Sequence, residues 1–164
     1  ARALGMAVLA SDPRPDHAAA RDLGAELVSL PDLLARADHV SLHVMGGPAT
    51  AGLIGAAELA LMKPTATLLN LSRGEVLDLD ALAGALRGGR LAGAAIDAYV
   101  TEPPDRSHAI FADPRVIFSP HSGADTTQAL IRIGHMVMDD IATLASGGTP
   151  ARTVNPEACQ RVQP

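Results

Sequence analysis

The sequence predicts an α/β fold in which helices alternate with the strands of a doubly wound parallel sheet. Short apolar runs and amphipathic segments take turns along most of the 164 residues, which is the pattern of consecutive βαβ units. The run Thr67-Leu68-Leu69 is continuously apolar and is bounded by polar residues and glycine. Such a run is typical of a strand buried on both faces of a parallel sheet. A chain of this length also suits one domain that buries a real core.

Composition limits the classes of partner and compartment. The formal net charge is −5 and the basic residues are scattered along the chain, which argues against a nucleic-acid partner. No apolar run approaches the roughly 18 residues of a membrane span, so no membrane partner is expected. Cys159 is the only cysteine. It permits neither a disulfide framework nor a zinc-ligand spacing, which predicts no metal site and favours a cytoplasmic location.

The first part of the chain is predicted to contain three strands and three helices in alternation. Gly5 ends a helical turn at the start of the chain, Gly24 stops the helix at 17–23, and Pro64 ends the helix at 56–62. Pro31 stands where a helix can begin, because proline lacks the amide hydrogen that a first turn leaves unpaired. The strands are expected at residues 6–10, 26–28 and 40–44, and the helices at 17–23, from 31, and at 56–62.

The second part predicts three more strands, at 67–69, 93–99 and 116–118. Asp78 is a suitable N-cap for a helix that ends at Gly88-Gly89. Asp125 is expected to cap a long helix with an apolar stripe formed by Leu130, Ile133, Val137, Ile141 and Leu144. The tail, residues 151–164, shows no clear structure.

The phosphate-binding glycine turn of a dinucleotide fold is missing. None of the fifteen glycines belongs to a G-x-G-x-x-G motif, which in that fold joins the first strand to the first helix. Asp12, at the end of a strand, occupies the place of the acidic residue that binds the ribose. We therefore expect a Rossmann-like sheet entered partway through its first helix, with its first strand and glycine turn absent. Residues 1–150 would be a partial dinucleotide-binding domain, and residues 151–164 a remnant of the return to another domain.

Four chemically capable side chains lie at the ends of predicted strands or shortly after them: Arg73, Asp97, Glu102 and His121. Each also has a plain structural interpretation. Arg73 could be a solvated arginine, Asp97 a hydrogen-bond acceptor, Glu102 a loop acid and His121 a structural histidine. However, ligands of open α/β sheets bind beyond the carboxyl ends of the strands. Because all four fall at that edge of one sheet, the sequence favours a substrate site.

Three segments carry a resemblance to a known family: LLNLSRGEVLD, LAGAAIDAYVTEPP and VIFSPHSGA. In this order and spacing they resemble the D-isomer-specific 2-hydroxyacid dehydrogenases, over nearly all of residues 1–150. The resemblance implies NAD as cofactor and hydride transfer between its nicotinamide and a D-2-hydroxy acid or 2-oxo acid of the phosphoglycerate, glycerate or hydroxypyruvate type. It also implies a homodimer when full length. The 164 residues alone, without a substrate domain, are expected to be inactive.

The resemblance also implies a role for each site residue. Arg73 would grip the substrate carboxylate, His121 would be the general acid and base, and Glu102 its partner. Asp12 would hold the adenosine ribose, which favours NAD over NADP, and Asp97 would orient the nicotinamide amide. The backbone from Leu71 through Ser72 to Arg73 and from His121 through Ser122 and Gly123 to Ala124 would line the cofactor, together with Thr50.

These residue types suit the implied reaction. The planar fork of arginine can make two charge-assisted hydrogen bonds to a carboxylate. Histidine can gain and lose a proton near neutral pH, and a carboxylate beside it favours the imidazolium and fixes the ring. Two departures from the family pattern stand out. Met45 replaces a proline in a loop that Gly46-Gly47 loosens, and Tyr99 replaces a phenylalanine, which we interpret as a packing change.

Two alternatives remain open at this level. The first is a non-enzymatic NAD-sensing scaffold, because the transcriptional corepressors that share this fold also resemble the family at Arg73, Glu102 and His121. The second is a truncated product without activity.

Overall fold

The computed structural model describes residues 1–159 and contains parallel strands that alternate with helices. The predicted α/β fold with a parallel sheet is therefore confirmed. The strands are β1 (Leu9–Ala10), β2 (Glu26–Leu27), β3 (His39–Leu42), β4 (Thr67–Asn70), β5 (Gly93–Ile96) and β6 (Val116–Phe118). The helices are α1 (His17–Leu23), α2 (Leu30–Arg36), α3 (Ala56–Leu61), α4 (Leu79–Arg87), α5 (Thr127–Ala145) and α6 (Pro156–Cys159). Short 3-10 turns cover Arg2–Leu4, Gly74–Val76 and Ala109–Ala112.

The strands form two parallel sheets within the described residues, β1-β2 and β3-β4-β5-β6. In the order 3-2-1-4-5-6 the first strand separates a pair of strands from a group of three, whereas here a pair stands beside a group of four. In the larger sheet the register aligns the last residues of all four strands in one row, Leu42, Asn70, Ile96 and Phe118. Residues that follow these strands therefore emerge at the same edge.

Side-chain caps fix where the helices begin. The Asp16 carboxylate accepts hydrogen bonds from the backbone N–H groups of Ala18 and Ala19 at the start of α1. The Asp78 carboxylate accepts one from Ala81 in α4, as predicted. Gly24 ends α1 in the left-handed conformation, with φ of 62°, which glycine adopts without steric cost. The helices predicted at 17–23 and 56–62 are confirmed to within one residue.

The core is aliphatic, as the composition predicts. It lies between the larger sheet and helices α2, α3 and α4. Leu68 of β4 and Ile96 of β5 are buried, and so are Leu82 and Leu86 on the inner face of α4. This packing holds β4 and β5 rigidly side by side, and their ends carry the candidate site.

Several predicted boundaries are wrong. The strand predicted at 93–99 ends at Ile96, because the Tyr99 N–H turns to the Glu102 carboxylate and not to β4. The strand predicted at 6–10 is only Leu9–Ala10, since β2 offers it two partners.

The predicted N-cap of the long helix α5 is also wrong. The Thr126 hydroxyl accepts the Ala129 N–H at 3.1 Å, whereas Asp125 lies in the preceding turn. The tail contains α6, where no structure was predicted, and its last five residues lie outside the described part.

The chain divides into two compact units, Ala1–His121 and a second that begins at Ser122. The second contains α5, whose predicted apolar stripe is exposed along its whole length. The assignment of residues 1–150 and 151–164 to separate domains stays a prediction. No helix within residues 1–159 has the length and apolar character needed to cross a membrane.

Candidate active site

Asn70 shapes the turn that presents Arg73. It is the last residue of β4 and is 1% exposed. Its amide nitrogen donates to the Arg73 carbonyl at 2.9 Å, and its amide oxygen accepts from the Ser72 N–H at 3.1 Å and the Ser72 hydroxyl at 3.0 Å. Because an unpaired buried amide would be costly, these bonds fix the turn. The Arg73 guanidinium is exposed and donates to the Ser72 carbonyl.

Gly74 brings this turn against the loop that follows β5. A Cβ at Gly74 would overlap the backbone of Tyr99 and Val100. Only a residue without a side chain permits this approach of two backbones. The contact places Arg73 and Glu102 on neighbouring loops at the edge of the sheet.

Glu102 and His121 form a direct pair. The Nδ1 atom of His121 lies 2.7 Å from Oε1 of Glu102, and the same oxygen accepts the Tyr99 N–H at 3.2 Å. The two side chains are about 40% exposed, at 39% and 42%. Bound to a carboxylate through Nδ1, the neutral imidazole carries its proton there and keeps Nε2 as the basic atom.

Asp97 lies under this edge, at the end of β5. It is 5% exposed, and its Oδ1 accepts the Ser119 hydroxyl at 2.6 Å. The Asp97 N–H donates to the Asn70 carbonyl, which continues the sheet register by one residue. Asp97 therefore ties the ends of β4 and β6 to β5.

Burial shifts the pKa of the Tyr99 hydroxyl. Desolvation raises the pKa of the Tyr99 hydroxyl, and the negative charges of Asp97 and Glu102 raise it further. The hydroxyl therefore keeps its proton beyond the range in which free tyrosine loses it.

The first unit also contains the predicted cofactor residues Asp12, Thr50, Leu71 and Ser72, and each has its own surroundings. Asp12 follows β1, is exposed, and accepts the Arg14 N–H at 2.7 Å through Oδ1. A carboxylate held in this way fits the hydroxyls of an adenosine ribose, which donate hydrogen bonds, and would repel a 2′-phosphate. Thr50 donates its hydroxyl to the Met45 carbonyl at 2.6 Å and so closes its own loop. Leu71 is exposed and Ser72 is buried.

Ser122, Gly123 and Ala124 belong to the second unit, and their contribution to a cofactor site stays a prediction. In residues 1–157, whose side chains the structure describes, no cluster of three or more histidine, cysteine or acidic side chains could hold a metal ion.

Sequence reasoning missed Asn70 and Ser119, and it did not predict the hydrogen bonds of the Tyr99 hydroxyl. Asn70 could have been found as the one polar residue within the otherwise apolar run LLNL. Ser119 has no comparable signal, because its bond to Asp97 joins residues 22 positions apart. Tyr99 is the only tyrosine of the chain, and its contacts appear only in three dimensions.

The arginine and the histidine–glutamate pair lie at the carboxyl edge of a parallel α/β sheet, where open sheets of this class bind their ligands. Residues 1–123 match the family described as D-isomer specific 2-hydroxyacid dehydrogenase, NAD binding domain. The chain belongs to this family and is an NAD-binding domain with the Rossmann-like fold.

Individual relatives support this assignment to the family. Over 163 residues the chain is 36% identical to a glyoxylate reductase of Aeropyrum pernix, covering 99% of the chain and 49% of that protein. It is 41% identical over 153 residues to a D-3-phosphoglycerate dehydrogenase of Mycobacterium bovis, covering 93% of the chain and 29% of that protein. The crystal structure of a D-isomer specific 2-hydroxyacid dehydrogenase from Lactobacillus delbrueckii ssp. bulgaricus, in its NAD-complexed form, superposes with a TM-score of 0.82 at 30% identity. That match covers 94% of this chain and 50% of the other. The chain thus spans half or less of the length of these relatives.

Proposed function

We propose that the full-length polypeptide is an NAD-dependent oxidoreductase that interconverts a 2-oxo acid and a D-2-hydroxy acid. The observation that carries this proposal is the pair of His121 Nδ1 and Glu102 Oε1, 2.7 Å apart, beside the turn that presents Arg73. The substrate class is a small 2-oxo acid, of the glyoxylate or hydroxypyruvate type. The glyoxylate reductase and phosphoglycerate dehydrogenase relatives support it.

Arg73 binds the carboxylate of the substrate. Its guanidinium is exposed, and no ion pair with a carboxylate of residues 1–157 occupies it. The fork can make two parallel charge-assisted bonds, which fix the orientation of the 2-oxo group. The bonds of Asn70 hold the backbone from which this side chain extends.

His121 moves the proton. In the direction of reduction, protonated His121 donates from Nε2 to the carbonyl oxygen of the substrate, which becomes the hydroxyl. In the direction of oxidation, neutral His121 accepts that proton through the same nitrogen. Glu102 holds the ring through Nδ1 in both directions and stabilises the imidazolium. When bound, NAD supplies or accepts the hydride. Asp12 would hold its ribose, and Asp97 and the Leu71–Arg73 backbone would hold its nicotinamide.

The test is an assay of the full-length polypeptide with NADH and a panel of 2-oxo acids. We expect oxidation of NADH with at least one of them, a D-hydroxy acid as product, and loss of turnover in His121→Asn. Reduction should slow and oxidation should accelerate as pH rises, because reduction needs the protonated and oxidation the neutral form of His121. NADH binding without turnover of any 2-oxo acid would refute the enzyme and favour an NAD-sensing scaffold.

We also infer a homodimer for the full-length polypeptide, which membership of the family supports. Light scattering coupled to size-exclusion chromatography measures it directly. A mass of one polypeptide at micromolar concentration would refute the dimer.

A further inference from the structure

All three aromatic side chains of the chain lie together next to the candidate site. The sequence has one tyrosine, two phenylalanines and no tryptophan. The ring of Tyr99 stacks on Phe111 with centroids 6.2 Å apart, and Phe111 packs against Phe118 at 4.6 Å. Large, rigid rings hold a polar tip in a fixed place. The cluster therefore fixes the position of the Tyr99 hydroxyl.

That hydroxyl joins the end of β5 to the segment that carries His121. Tyr99 is 9% exposed, and its hydroxyl lies 2.9 Å from the Ser119 carbonyl and 3.2 Å from the Ile96 carbonyl. The hydroxyl donates to the nearer Ser119 oxygen. The Ser119 N–H donates in turn to the Ile96 carbonyl at 3.0 Å. Ser119 thus has both of its peptide groups fixed, two residues before His121.

The backbone of Tyr99 contacts Glu102, the other member of the His121–Glu102 pair. Its N–H donates to Oε1 of Glu102, the atom that lies 2.7 Å from His121 Nδ1. One residue therefore contacts the Glu102 carboxylate through its backbone and the segment before His121 through its side chain.

His121 needs such support because its backbone is strained. Its φ is 55°, in the left-handed region that residues other than glycine rarely adopt. A conformation of this kind persists only where surrounding contacts hold it. A tyrosine hydroxyl keeps its proton throughout the neutral range, and burial raises the pKa of Tyr99 further, so the group stays a donor.

We propose that Tyr99 is a positioning residue for proton transfer, whose hydroxyl holds the Ser119 carbonyl and so aligns His121 with Glu102. The catalytic consequence rests on the function proposed above, whereas the alignment can be measured without turnover. The replacement of phenylalanine by tyrosine at this position is thus more than the packing change that the sequence suggests.

The test compares Tyr99→Phe with Phe111→Leu in the full-length polypeptide. Tyr99→Phe keeps the ring and removes only the hydroxyl, whereas Phe111→Leu disturbs the same cluster and keeps the hydroxyl bond. The first readout is the NMR signal of the His121 Nδ1 proton in protein with 15N-labelled histidine, assigned by its absence in His121→Asn. We expect this proton to exchange faster and its signal to broaden in Tyr99→Phe, and to stay sharp in Phe111→Leu.

The second readout is steady-state kinetics. Loss of one buried hydrogen bond should lower kcat by roughly five- to thirtyfold in Tyr99→Phe. KM for the 2-oxo acid should stay unchanged, because Arg73 is untouched. A residue that only supports the fold would lower the melting temperature and leave the Nδ1 signal intact.

The outcomes separate the two proposals. An unchanged Nδ1 signal in Tyr99→Phe overturns the positioning role, whatever the activity. Equal broadening in Phe111→Leu also overturns it, because packing alone would then account for the effect. Broadening confined to Tyr99→Phe in a protein that turns over no 2-oxo acid supports the alignment and refutes the proposed function.

Discussion

The Nδ1 atom of His121 lies 2.7 Å from Oε1 of Glu102, although the two residues are 19 positions apart along the chain. The pair forms because β5 and β6 are neighbours in parallel register and end in the same row, at Ile96 and Phe118. The contact between the two side chains binds Nδ1 of His121 to the protein and leaves Nε2 as the ring nitrogen that can face a substrate.

Glu102→Gln should lower kcat by roughly 10- to 100-fold, the range expected when a hydrogen bond between charged groups loses its charge. The amide has the same shape and can still accept the Nδ1 proton, so the fold should not change. Steady-state kinetics of the full-length polypeptide measure the effect. Glu157→Gln, an exposed residue of α6, is the matched control, and equal kcat values in both variants would contradict the role of Glu102.

Arg73→Lys should raise KM for the 2-oxo acid by roughly 10- to 100-fold, because lysine keeps the charge but cannot make the two parallel bonds of the fork. The affinity for NADH, measured by fluorescence titration, should change little by comparison. Arg90→Lys alters an exposed arginine beyond α4 and serves as control. A normal KM in Arg73→Lys would exclude the bidentate contact.

Gly74→Ala should destabilise the protein by about 1–3 kcal/mol, since the new Cβ overlaps the backbone of Tyr99 and Val100. Activity should fall with it, because the Arg73 turn must move away from the loop of Glu102. Gly84→Ala provides the opposite case. A Cβ at Gly84, within α4, meets no atom within 4 Å, so alanine should stabilise by about 0.5–1 kcal/mol. Urea unfolding measures both, and equal stability of the two variants would refute the close approach at Gly74.

The charge of the Asp113 carboxylate should make the free energy of unfolding decrease at acidic pH. The Arg115 guanidinium and the Arg115 backbone N–H bind its carboxylate and lower the pKa of Asp113 below its ordinary value. Arg115 also donates to the Leu86 carbonyl and so links β6 to α4. A lowered carboxyl pKa contributes stability above the ordinary pKa of about 4 and loses it as pH falls through the folded-state value.

The measurement is the urea midpoint of the wild type and of Asp113→Asn between pH 7 and pH 3. The wild type should be more stable at pH 5 to 7, and the difference should shrink below about pH 4. A difference that stays constant across this range would show that the charge of Asp113 contributes nothing.

Local rules explain why so much of the fold could be predicted. Caps such as Asp78, left-handed glycines such as Gly24 and continuous apolar runs such as that ending at Asn70 act over a few residues. They determine helices and strands before any distant contact forms. The parallel sheet followed from the alternation of these elements.

The candidate catalytic residues were predictable as a set because each follows a strand, and parallel strands end at one edge. The sequence could not supply their contacts. Whether Asn70 folds its amide back onto Arg73, or Tyr99 reaches Ser119 across 20 residues, depends on register and packing.

The sequence by itself determined the class of fold, the order of its main elements and the fact that Arg73, Glu102 and His121 follow strands that end at one edge of the sheet. Only the tertiary structure decided that Gly74 meets Tyr99, that Glu102 pairs with His121, and that the Tyr99 hydroxyl holds the segment between them. The reason is physical. Hydrophobic periodicity and capping are properties of neighbouring residues, whereas a hydrogen bond of 3 Å requires the packed core to align two loops to within a fraction of an ångström.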